Sequence, residues 1–306
     1  MKNLTLFVAL LVIWTFSLDA QEMFEARQLT FDPAQQGFPS WSPDGKYIVY
    51  QHTDRNDTVG KNGLWIVSQD GTGARQIFKG VAEHPKWSPD NRFIVFDADT
   101  GKSIKMIPVE GGLPVRFLPD SIHIMNGGLP CWSPDASQIA FIEGSSVSLC
   151  VYDIKTSNIK KIFWKEGLVP LPGCWAPDGK SVLIALMDRE TRKSSIWKIS
   201  ADGKIKEQIT GHRENFYRHL AISPDGSLLI YASMEDGYLG LHIMPSVGGT
   251  SLPLAVTPQS HNEGVSWAPD GNRIAFSRGS FGNSDIWILD INIAQVKKEV
   301  KLLYKQ

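Results

Sequence analysis

The chain has 306 residues, 42% hydrophobic and 21% charged, which is ordinary globular composition with length for a sizeable core. Its formal net charge is −1, and no block of like charge appears beyond a weak pair such as Lys297-Lys298. Nucleic-acid binding would need a basic stripe, so no nucleic-acid partner is expected.

The chain opens MKNLTLFVALLVIWTFSLDAQE. Lys2 supplies a positive start, and Leu4 to Phe16 is an apolar run too short to span a bilayer comfortably. With Ala20 before the cut, residues 1–20 read as a secretory signal peptide; an uncleaved anchor is the alternative. The expectation is a periplasmic or secreted protein with no stable membrane insertion after cleavage. The cysteines Cys131, Cys150 and Cys174 are odd in number and sit in apolar strand patterns, which points to buried thiols.

Next comes FPSWSPDGKYIVY, Phe38 to Tyr50. A serine two residues before a carboxylate could be chemistry or a turn. The phrase returns at His84–Phe96, Leu129–Phe141, Pro172–Ile184, His219–Tyr231 and Gly264–Phe276. Its tryptophan slot falls at 41, 87, 132, 175, 222 (an isoleucine) and 267, spaced 46, 45, 43, 47 and 45 apart. A catalytic loop is used once, whereas a period of roughly 40–45 residues marks a β-propeller blade.

Within the first repeat, Phe38–Trp41 predicts a short strand and Ser42-Pro43-Asp44-Gly45 a turn. Tyr47–Tyr50, Leu64–Val67 and Ala74–Phe78 complete four strands. The third strands align Trp65, Lys105, Cys150, Trp197, His242 and Trp287 in one slot. Asn91 and Ala136 replace the turn glycine in repeats two and three. The fold class is therefore all-β, a six-bladed β-propeller of four-stranded antiparallel blades. A single domain is expected over 21–306, with blades near 38–80, 81–122, 126–165, 168–211, 215–257 and 261–306. Glu25–Thr30 and Glu299–Tyr304 both look like the strand that completes the last blade. The longer second-to-third-strand loops are expected at His52–Gly63, Ser233–Gly240 and Ser277–Ser284. With Tyr238 and Phe281 they suggest a partner patch.

The repeated W-[SA]-P-D-G-x-x-[IL]-[AV]-[FY] resembles the WD-like Pro-Asp repeats of TolB-type six-bladed propellers. The resemblance covers nearly the whole mature chain. TolB itself carries an N-terminal α/β domain, for which this sequence leaves no room before its first strand. It implies a secreted, non-enzymatic scaffold with a protein partner in the cell envelope, acting as a monomer. Similar propellers occur in prolyl-oligopeptidase-type peptidases, but no hydrolase domain follows here. A third relative, the oligogalacturonate lyase group, holds a divalent metal near the axis.

The residues entering each inner strand should surround one mouth of the channel. Blades two, five and six bring Glu83-His84, Tyr217-Arg218-His219 and His261-Asn262-Glu263 there, and Gln36 joins them from blade one. These nine are the expected ligand- or partner-binding set. His84, His219 and His261 are the weak candidates for a divalent metal in the central channel; otherwise no cofactor is expected. The alternative functions are a metal-dependent carbohydrate lyase and a secreted small-molecule sensor. No G-x-S-x-G elbow is found, and the expectation leans away from an enzyme. Asp54-Arg55-Asn56-Asp57 faintly suggests calcium, against an ordinary solvated turn.

Overall fold

The computed structural model describes residues 24–303, apart from 117, 120, 125–127, 146, 212–216, 236–237, 256–259 and 281. The expected signal peptide, His212 and Phe281 lie outside the described residues.

Four antiparallel sheets of four strands each occupy 82–116, 131–163, 168–208 and 218–255. Two further four-stranded units, 35–79 and 261–291 with 24–28, are joined by one parallel bridge, Gln35 to Ser284, into an eight-stranded sheet. Four separate sheets and two joined units make six among the described residues. Each unit's first strand contacts the first strands of the units on either side, and the sixth contacts the first, closing a ring. Ring closure removes exposed sheet edges from the inner wall.

The phrase that opened each repeat is a turn. Gly45 N–H donates to Ser42 O at 2.9 Å, and Gly45 is left-handed at φ 71. Ser42 Oγ donates to Asp44 Oδ1 at 2.7 Å and accepts the Tyr47 N–H at 2.9 Å. The serine and carboxylate thus satisfy the backbone and each other. The same bonds recur at Ser88, Ser133 and Ser223. Asn91 and Ala136 hold the glycine's left-handed conformation, at φ 62 and 58.

Strand register confirms the slot alignment of the third strands. Trp65, Lys105, Cys150, Trp197, His242 and Trp287 stand opposite Tyr50, Phe96, Phe141, Ile184, Tyr231 and Phe276. The core lies between blades, where apolar residues of neighbouring units form shared clusters. Indole N–H groups stitch blades together: Trp175 donates to Cys131 O and Trp267 to Ala221 O.

The choice between the two closing strands resolves, and the loop expectation needs correcting. Residues Phe24–Gln28 close the last blade by pairing with Asn283–Ile291. Glu299–Leu303 is not a strand, because Ile293–Leu303 forms a helix; Tyr304 lies outside the described residues. Ile293, Val296 and Val300 recur at helical spacing, and the two valines are buried in the same apolar cluster as Trp267 and Leu289. The stretches 233–240 and 277–284 are chiefly hairpin rather than loop, with Glu235 opposite Tyr238 and Ser280 opposite Asn283. No helix among the described residues is long and apolar enough to cross a membrane.

Candidate functional site

The inner strands carry a repeated irregularity. Their pairing with the second strand slips at Gly37/Ser40, Glu83/Lys86, Pro172/Cys174, Arg218/Ala221 and Glu263/Ser266. In four of these bulges, and at the equivalent point of blade three, the residue three before the tryptophan slot is left-handed. These are Phe38, His84, Leu129, His219 and Gly264, at φ 50, 52, 49, 50 and 63. A bulge bends its strand and re-aims a side chain. Here the five residues line a constriction of about 40 Å³, room for a few waters and no more.

Phe38 occupies this constriction. Its ring meets His84 edge-on at 4.3 Å between centroids and His219 at 5.2 Å. Gly264 leaves it space: a Cβ there would come within 2.8 Å of Phe38 Cα. Around the phenylalanine stand polar groups with defined partners. His84 Nδ1–H donates to Asp97 Oδ2 at 2.9 Å. Asp97 is 1% exposed and also accepts the Gly128 N–H at 2.7 Å and the Leu129 N–H at 3.1 Å. One buried carboxylate of blade two therefore holds both its own mouth histidine and the entrance to blade three.

On the other side, His219 Nε2 faces Glu263 Oε2 at 3.4 Å. Burial pushes the imidazole below its ordinary value, partly offset by Glu263. Burial works to raise Glu263, but His219, Arg218 and His261 outweigh it and hold the carboxyl low. Arg218 is itself lowered by burial, with Glu263 opposing. The result is a partly exposed Arg218–Glu263–His219 cluster beside a histidine anchored by Asp97.

The nine sequence-derived residues separate into two groups. Glu83, His84, Arg218, His219 and Glu263 lie on the bulges around the mouth. The other four serve packing. Gln36 is 1% exposed, with Nε2 directed at Asp32 O. Tyr217 is buried edge-on to Tyr231. Asn262 donates to Leu239 O in the interior. His261 Nδ1 accepts the Leu239 N–H at 3.4 Å and its ring lies beside Tyr238. Sequence reasoning passed over Asp97, in a plain strand slot, and Phe38 as the wedge on the axis.

Each weak metal candidate already has a protein partner: His84 Nδ1 has Asp97, His219 Nε2 has Glu263, and His261 Nδ1 has the Leu239 N–H. No group of three His, Cys, Asp or Glu among the described residues is placed to hold an ion. The loop after Thr53 is equally self-satisfied: four amides, Val59 through Asn62, donate to Asp57, holding its carboxyl at about 2. The three cysteines are free, and burial pushes Cys131 and Cys174 up to about 12 and Cys150 to about 11. Such thiols are inert.

A family model for the TolB β-propeller domain matches residues 111–301. The chain belongs to that family. An uncharacterised protein of Agrobacterium fabrum is 25% identical over 286 residues, 87% of each chain. The Tol-Pal system protein TolB of Francisella tularensis is 26% identical over 175 residues. That match covers 54% of this chain and only 38% of that relative. Among solved structures, a putative TolB from Agrobacterium tumefaciens superposes with TM-score 0.61 at 20% identity, over 88% of this chain and 97% of the other. An oligogalacturonate lyase in complex with manganese gives 0.59 at 14% identity, over 88% and 93%. At these identities the two structures speak to fold alone.

Proposed function

We propose that this TolB-family propeller is a periplasmic or secreted, non-enzymatic scaffold whose protein partner docks on the channel mouth. The observation that carries this reading is Phe38 wedged between His84 and His219. It leaves about 40 Å³ of space, well short of a small-molecule cleft, with Glu83, Arg218 and Glu263 on the adjoining bulges. An aromatic centre with a charged rim suits a protein interface. The named role of the TolB relative in a Tol-Pal system agrees with a protein partner in the cell envelope.

The competing reading is a metal-dependent carbohydrate lyase. It would bring His84, His219 and His261 onto one ion, whereas no group of three His, Cys, Asp or Glu among the described residues is placed to hold one. A tagged mature chain, crosslinked in cells and recovered beside a variant with Glu83, Arg218 and Glu263 all changed to alanine, tests the scaffold reading. A specific protein recovered with the first and lost with the second is the expected result. Equal recovery with both places the interface elsewhere.

A further inference from the structure

Below the Phe38 constriction the axis widens. The inner strands run from the mouth to the Pro-Asp turns, and at that turn end lies a second cavity of about 410 Å³. That volume is within the range of small-ligand sites.

Its wall follows from the repeat. The residue just before the tryptophan slot faces the axis in all six blades: Ser40, Lys86, Cys131, Cys174, Ala221 and Ser266. Five of the six are small, and the sixth is a long cation. Small neighbours leave the lysine room to lie across the axis, and Lys86 lines both this cavity and the constriction above it. Outward of this ring stand the indoles of Trp87, Trp132, Trp175 and Trp267.

No acidic side chain lines the cavity, and Lys86 is its one charged lining residue among the described residues. The titratable neighbours that act on it are the thiols of Cys131 and Cys174. Both are held neutral by burial, so neither supplies a counter-charge. Ser40 and Ser266 Oγ accept the backbone N–H groups of Trp87 and Trp41 and carry no charge. Lys86 is half-buried beside the cavity with no carboxylate facing it, and desolvation lowers its affinity for a proton. Serine, cysteine or alanine fills the same slot in the other five blades, so closing the ring does not call for a lysine.

We propose that the turn-end cavity is a binding site for a small organic anion, with Lys86 as counter-ion to its carboxylate and the tryptophans enclosing an apolar, planar body. The site lies at the opposite end of the axis from the proposed protein-docking surface, so the two proposals stand or fall separately.

The test is calorimetric titration of the mature chain with naphthoate and with its neutral counterpart naphthylmethanol. Wild type should bind naphthoate saturably and about tenfold or more tightly than the alcohol, the worth of a charge-assisted hydrogen bond. Lys86→Met should abolish that preference and Lys86→Arg should keep it. The variant with Glu83, Arg218 and Glu263 changed to alanine should bind naphthoate as wild type does. Equal binding of acid and alcohol by wild type, a preference retained in Lys86→Met, or no saturable binding of naphthoate would each overturn the proposal. If Lys86→Met does not fold, the wild-type preference and its retention in Lys86→Arg decide the matter.

Discussion

Asp97 offers the sharpest check on how the mouth is held. Its carboxylate accepts from Gly128, Leu129 and His84 at 2.7, 3.1 and 2.9 Å, and it is 1% exposed. In Asp97→Ala, two backbone N–H groups of blade three and one imidazole N–H lose their acceptor together. Leaving a buried donor unpaired costs about 1–3 kcal/mol each, and water can reach the half-buried histidine more readily than the amides. The expected loss is therefore about 3–5 kcal/mol, dominated by the two amides. Urea denaturation of Asp97→Ala, His84→Ala and the double variant measures it. His84→Ala alone should cost less, and the double should cost less than the sum, with a coupling of about 1–2 kcal/mol. Hydrogen exchange adds a local readout, since the Gly128 and Leu129 amides should exchange faster in Asp97→Ala. A loss below about 1 kcal/mol, or unchanged exchange at those amides, would refute the reasoning that one carboxylate ties the second blade to the third.

Three further outcomes are expected. Ala136 sits at φ 58 in a turn that elsewhere takes glycine, so Ala136→Gly should raise stability by about 1 kcal/mol; an unchanged urea midpoint would speak against strain there. Val296 and Val300 are 0% and 3% exposed, so truncating either to alanine should cost about 2 kcal/mol, and no shift in midpoint would mean the helix is not docked. His219 is kept neutral by burial, while an unfolded chain takes up its proton below about pH 6.5. That stabilisation is present above the unfolded value and is lost as pH falls, and the low Glu263 carboxyl adds a loss of the same sign at lower pH. Wild type should therefore lose stability between about pH 7 and 5, and His219→Gln should lose less over the same window.

Much of the fold was legible because a propeller repeats its own errors and successes. Six copies of one phrase fixed the blade period, and a Ser-Pro-Asp turn cannot be mistaken once it recurs with the same flanking strands. The closing strand was not legible, because Glu25–Thr30 and Glu299–Tyr304 share β-rich character. Helical spacing of Ile293, Val296 and Val300 was the signal that separated them. The site was half visible. Counting back from the tryptophan located Glu83, His84, Arg218, His219 and Glu263. It could not show that Gln36, Tyr217, His261 and Asn262 turn into the packing, since a bulge changes which face each neighbour meets. Glycine marks the left-handed position of the bulge only in blade six, at Gly264. In four other blades non-glycine residues, Phe38, His84, Leu129 and His219, take that conformation, which their types do not predict. Asp97 was hidden because its partners lie 31 and 32 residues away, in another blade.

The central claim is that a partner sits on the mouth at Phe38 and not at the turn end. The direct measurement places a photo-crosslinking amino acid at Glu83 in one chain and at Asp178, in an exposed Pro-Asp turn, in another. Irradiation in the cell should give a discrete protein adduct from position 83 and none from position 178. An adduct from 178 alone, or the same adduct from both, would contradict the account.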